Sequence, residues 1–170
     1  MHEHFSAGAR RLGIAAGVAA VVAFGLASVS PAGAATSASV AGDTLTVKGS
    51  AAGERLALRL APGASGTLEV DFGDDGTADA SFDRATFSQI RVTLRPGDDA
   101  FRVDQVNGAF ADEALTVEGG AGDDTFAGGD GAEHYVGGAG DDTVDGNRGD
   151  DIGVLGSGQD SFRWDPGDGS

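Results

Sequence analysis

Carboxylates recur at a nine-residue spacing between Gly119 and Arg163. Aligned in nines, the segment runs GGAGDDTFA (119–127), GGDGAEHYV (128–136), GGAGDDTVD (137–145), GNRGDDIGV (146–154) and LGSGQDSFR (155–163). The sixth position holds Asp124, Asp142, Asp151 and Asp160, with Glu133 in the second unit. Acidic groups stacked by a repeat repel one another unless a cation lies between them, so the pattern points to a hard, oxygen-seeking ion. Zinc or copper favour His or Cys, which the repeating positions do not supply. The formal charge of −16 over 170 residues has the same implication: it disfavours nucleic acid and anionic lipid and favours cations.

These nonapeptides resemble the RTX, or hemolysin-type, calcium-binding repeat, whose pattern is G-G-x-G-x-D-x-U-x with U large and apolar. Two units match every specified position, one with Gly119, Gly120, Gly122, Asp124 and Phe126, the other with Gly137, Gly138, Gly140, Asp142 and Val144. Three more match in part, and LRPGDDAFR (94–102) fits the same frame further upstream. The resemblance, over roughly 94–170, implies an all-β fold, a right-handed parallel β-roll or β-helix, and Ca²⁺ as the bound ion.

Physical reasoning leads the same way. The first six positions of each unit need left-handed or crowded backbone, which glycine supplies cheaply, and the last three form a short strand. Two units then complete one coil, and Phe126, Tyr135, Val144 and Phe162 stack into a narrow core. Asp124 meets Asp142 and Asp142 meets Asp160 along one edge, with Asp151 on the opposite edge. Ca²⁺ takes six to eight oxygens, and glycine-rich loops expose carbonyls that complete such a shell. The expected metal residues are Gly120, Gly122, Asp124, Gly138, Gly140, Asp142, Asp151, Gly158 and Asp160. Two calcium sites are expected, with room for a third. So small a core is not expected to offset the entropy of so many glycines, which makes folding depend on the metal.

The repeat degrades in places. Glu133 replaces aspartate in the second unit, Gly153 occupies the apolar position of the fourth, and Leu155 replaces the first glycine of the fifth. Residues 164–170 begin another loop without a polar terminal cap.

Upstream, Arg10 and Arg11 precede an apolar run from Leu12 to Val29, followed by Pro31 and Ala32-Gly33-Ala34. This reads as an export signal cleaved after Ala34, the alternative being a retained anchor. Without residues 1–34 the chain keeps 9 basic and 26 acidic residues, a charge of −17. The expected organisation is a signal peptide over 1–34, a β-strand and hairpin segment over 35–94, and the calcium-binding array over 95–170. In the middle segment Leu45/Val47, Leu56/Leu58/Leu60, Leu68/Val70/Phe72 and Ile90/Val92/Leu94 alternate with period two, as strands with one buried face do. Gly73-Asp74-Asp75-Gly76 reads as an acidic hairpin tip, although Asp71, Asp75, Gly76 and Asp79 half resemble an EF-hand loop.

There is no H-E-x-x-H, G-x-S-x-G or G-x-x-x-x-G-K-[ST], so a binding protein is expected and not an enzyme. His134 is expected to face solvent. With no cysteine, disulfides and thiolate sites are excluded. The leading expectation is a secreted, extracellular calcium-binding repeat protein, free of nucleic acid and of stable membrane insertion once the signal is removed. An adhesion or matrix protein stiffened by calcium, with a cell-surface partner, is a rival. So is an accessory module of a secreted hydrolase.

Overall fold

The computed structural model describes residues 35–163, so residues 1–34, where an export signal is expected, and residues 164–170 lie outside the described residues. Thirteen strands and one 3-10 turn, Arg84–Thr86, make up the described chain. They are β1 (Ser37–Ala41), β2 (Thr44–Lys48), β3 (Arg55–Ala61), β4 (Ala64–Phe72), β5 (Ala80–Asp83), β6 (Gln89–Thr93) and β7 (Ala100–Asp104), followed by β8 (Ala114–Ala121), β9 (Thr125–Ala127), β10 (Glu133–Ala139), β11 (Thr143–Asp145), β12 (Ile152–Ser157) and β13 (Ser161–Arg163). The all-β expectation holds. Among the described residues no helix is long and apolar enough to cross a membrane.

Two sheets form, ordered β1-β2-β6-β8-β10-β12 and β13-β11-β9-β7-β3-β4-β5. From β6 onward the chain alternates strictly between them, and each strand pairs in parallel with the strand two places on. Parallel neighbours need a crossover, and here the crossover is a strand of the other sheet. The β1–β2, β3–β4 and β4–β5 pairs are antiparallel. Both sheets are therefore mixed, and each runs between two edge strands without closing on itself.

The register shows how the sequence is wound. In the first sheet Leu45 pairs with Ile90, Ile90 with Leu115, Tyr135 with Val117 and Tyr135 with Gly153. In the second, Leu56 pairs with Phe101, Phe101 with Phe126, Phe126 with Val144 and Val144 with Phe162. The inward side chains of both sheets form one apolar cluster from Leu45 to Val144, continuous through the N-terminal strands and the repeats. The Phe126 and Tyr135 rings stack across it with centroids 5.7 Å apart. At the far end Gly153 leaves the apolar position empty, and Phe162 packs against its Cα: a Cβ there would lie 2.5 Å from the ring.

The β4–β5 connection is the acidic hairpin and not an ion loop. Asp71 is fully buried, and its carboxylate accepts from Arg59 Nη1 (2.6 Å) and from the amides of Asp75 (3.1 Å) and Gly76 (2.9 Å). Burial pushes its pKa up, but Arg59 and the two amides outweigh burial and hold it below the usual carboxylate range. An arginine already occupies the place a cation would take.

Candidate metal centre

Each strand of the array ends in a turn whose backbone the glycines make possible. Gly120, Gly122, Gly138, Gly140 and Gly158 have φ of 132°, 130°, 126°, 136° and 148°, which side-chain-bearing residues rarely adopt. The turns stack so closely that a Cβ at Gly138 would run into the carbonyl oxygen of Gly120, and one at Gly140 into that of Gly122. This leaves carbonyls and sixth-position carboxylates lining up along the edge.

Those carboxylates form a row tied by backbone hydrogen bonds. The Asp124 amide donates to Asp142 Oδ1 (2.9 Å) and the Asp142 amide to Asp160 Oδ1 (3.0 Å). On the opposite edge the Glu133 amide donates to Asp151 Oδ1 (2.9 Å). The predicted partners Asp124, Asp142 and Asp160 are thus brought together, and Asp151 lies with Glu133. His134, half-buried, sits between Thr116 and Ile152 in register on the face of β10 opposite Tyr135.

The row also takes in residues that sequence reasoning missed. The Asp99 amide donates to Asp124 Oδ1 (2.9 Å), and the Glu54 amide to Asp99 Oδ1 (2.7 Å). Asp99 was legible as the sixth residue of LRPGDDAFR. Glu54 was not, because no repeat leads to it.

One oxygen of each acid is used in this way and the other is not. Oδ2 of Asp99, Asp124 and Asp142 and Oε2 of Glu54 are buried without a hydrogen-bond partner in the protein. In the N-terminal part the buried Asp71 and Glu113 are matched by arginines, Arg59 (2.6 Å) and Arg84 (2.6 Å), as is the half-buried Asp74 by Arg102 (2.6 Å). Among the described residues no basic side chain pairs with Glu54, Asp99, Asp124 or Asp142. A buried carboxylate oxygen with no partner costs about 1–3 kcal/mol or more. Several in a row therefore call for a counter-charge from outside the chain. Among the described residues no three His, Cys, Asp or Glu side chains converge into a cluster able to hold a metal by themselves. Backbone carbonyls must then complete any shell, which suits an ion with many oxygen ligands.

Without that counter-charge the acids keep their protons to higher pH than exposed carboxylates do. Burial pushes Asp124 up to about 6, and pushes Asp99, Asp142 and Glu133 upward as well, Glu133 also through its hydrogen bond with Asp151. A group with its folded pKa above its unfolded value stabilises the fold fully below the unfolded pKa, and loses that contribution as pH rises through the folded one. In calcium-depleted buffer the melting temperature should accordingly fall between about pH 5 and 7, with Asp124 alone contributing about 1 kcal/mol of that loss. Saturating calcium should reverse the trend, since protons and the ion compete for the same oxygens. Melts in both buffers decide the matter, and a flat profile without calcium would contradict it.

Residues 116–144 and 127–162 match the family model of the RTX calcium-binding nonapeptide repeat, which spans four copies. No curated protein and no solved structure matches the chain. The matched span contains Asp124, Glu133, Asp142, Asp151 and Asp160 together with the positive-φ glycines between them. Residues 116–162 are therefore an array of RTX calcium-binding nonapeptide repeats, a repeat that binds Ca²⁺.

Proposed function

We propose that this is an exported calcium-binding protein whose repeats hold Ca²⁺ between stacked turns of a parallel β-roll and complete their folding on binding it. The observation that carries the reading is the row of buried carboxylates with no basic partner, in a protein that supplies an arginine to the buried Asp71 and Glu113 of its N-terminal part. Asp124 and Asp142, with carbonyls of Gly120, Gly122, Gly138 and Gly140, would form one site. Asp142 and Asp160, with carbonyls of Gly140 and Gly158, would form a second, and Asp151 would serve the opposite edge with Glu133. Bound calcium supplies positive charge and a multidentate cross-link between turns, and no catalysis is invoked.

Export draws support from Arg10-Arg11, the apolar run and Ala32-Gly33-Ala34. It fits the energetics too. Extracellular calcium modules bind at about 10⁻⁴–10⁻³ M, so the array would stay loose inside a cell and set outside it. Isothermal titration of the full chain with CaCl₂ should give binding in that range. Asp124→Ala and Asp142→Ala should each lose part of the uptake, because each of these aspartates stands between two neighbouring carboxylates in the row. A wild-type protein that takes up no calcium at millimolar concentration would sink the reading.

A further inference from the structure

We propose that Asp99 builds a further Ca²⁺ site one turn upstream of the matched repeats, joining the N-terminal strands to the array. The proposal rests on the calcium reading above, but concerns residues outside 116–162.

Four observations place the turn 94–99 in the same series as the repeat turns. Arg95 and Gly97 have φ of 81° and 149°, against 132° and 130° at Gly120 and Gly122, so even an arginine is held in the conformation glycine takes elsewhere. The carbonyl of Arg95 faces Gly120 as that of Gly120 faces Gly138: a Cβ at Gly120 would stand 2.5 Å from Arg95 O. The carbonyl of Gly97 faces Gly122 in the same way. Finally, Asp99 is 2 % exposed, its Oδ2 has no partner, and its amide binds Asp124 Oδ1 at 2.9 Å, the length found between Asp124 and Asp142.

The donor set at this step is thus the one the repeats use, with the carboxylates of Asp99 and Asp124 and the carbonyls of Arg95 and Gly97. Beyond it the row ends at Glu54, whose Oε2 lies against Gly49 as Asp124 Oδ2 lies against Gly119 and Asp142 Oδ2 against Gly137. Glu54 bonds its own turn through Ser50 N to Oε1 (2.6 Å) and caps the row without a repeat of its own. A second row runs alongside on the exposed side, where the Asp123 amide donates to Asp98 Oδ1 (3.0 Å) and the Asp141 amide to Asp123 Oδ1 (2.8 Å). That adds negative potential over the same steps.

Hydrogen exchange of the full-length wild-type protein, with CaCl₂ or in calcium-depleted buffer, tests the proposal without any substitution. Calcium should slow the amides of Glu54 and Asp99 by about tenfold or more, together with those of Asp124 and Asp142. Titration of Asp99→Asn should give one Ca²⁺ fewer per chain than wild type, while Asp142→Asn loses the sites inside the array. Slowing confined to residues 120–160, or an Asp99→Asn protein with wild-type stoichiometry and affinity, would overturn this inference and leave the calcium reading standing. A wild type that binds no calcium overturns both. Should Asp99→Asn fail to fold, the wild-type exchange pattern still decides.

Discussion

Removing calcium from the full-length protein should erase most of the circular-dichroism β signal contributed by the strands after Ala114. Two features of the structure set the size of the effect. Folded and metal-free, the array keeps the Oδ2 atoms of Asp124 and Asp142 buried without partners, with Asp99 and Glu54 adding to the row. Each such oxygen costs about 1–3 kcal/mol unless its carboxyl is protonated. Against this stand short strands, three residues each in β9, β11 and β13, that offer one inward side chain per unit. An ion present at a hundred times its dissociation constant stabilises the folded state by about 2.7 kcal/mol per site. Two sites then contribute about 5 kcal/mol, comparable with the whole net stability of a small domain. The N-terminal strands contain most of the apolar cluster and arginine-matched acids, so they should outlast the repeats during chelation. A chelated sample with the full β signal and an unchanged melting temperature would show that the turns hold together without the ion.

Gly140→Ala should cost about 3 kcal/mol or more and strip the array of calcium, whereas Gly66→Ala should change stability by less than about 1 kcal/mol. At Gly140 two penalties combine. Its φ of 136° is a conformation that side-chain-bearing residues avoid, and a Cβ there would run into the carbonyl oxygen of Gly122 in the turn above. That oxygen belongs to backbone and cannot swing aside. Relief requires the two turns to separate, which also separates Asp124 from Asp142 and spoils any shell between them. Gly66, in contrast, lies in β4 with nothing within 4 Å of its would-be Cβ. Thermal melts of both variants with and without calcium provide the comparison. Equal effects at the two positions would mean that stacking between turns does not govern stability.

Local information sufficed for a good part of this protein. The nine-residue period identified Asp124, Asp142, Asp151 and Asp160 because, in a coil of two units, equal spacing in sequence becomes equal height along an edge. Alternation at Leu45/Val47 and Ile90/Val92 identified buried faces, because successive side chains of a strand point to opposite sides. Glu133 was harder to read. It departs from the aspartate of the pattern, yet the turn brings it and Asp151 together through the Glu133 amide.

Other features are decided only in three dimensions. Leu45 pairs with Ile90 and Leu56 with Phe101 across insertions that include the β4–β5 hairpin, and Phe101 pairs with Phe126 across the loop before β8. No period survives such insertions, so nothing in the order of residues announces that Glu54 stands in line with the repeat aspartates, and LRPGDDAFR marks Asp99 as a repeat residue without showing that it joins their row. The acidic composition of the chain pointed to cations, and its nine-residue spacing to where the regular turns lie. Which acids go unmatched was left to tertiary packing, because whether a carboxylate meets an arginine, as Asp71 does, or faces only other acids, as Asp99 does, depends on which distant strands become neighbours.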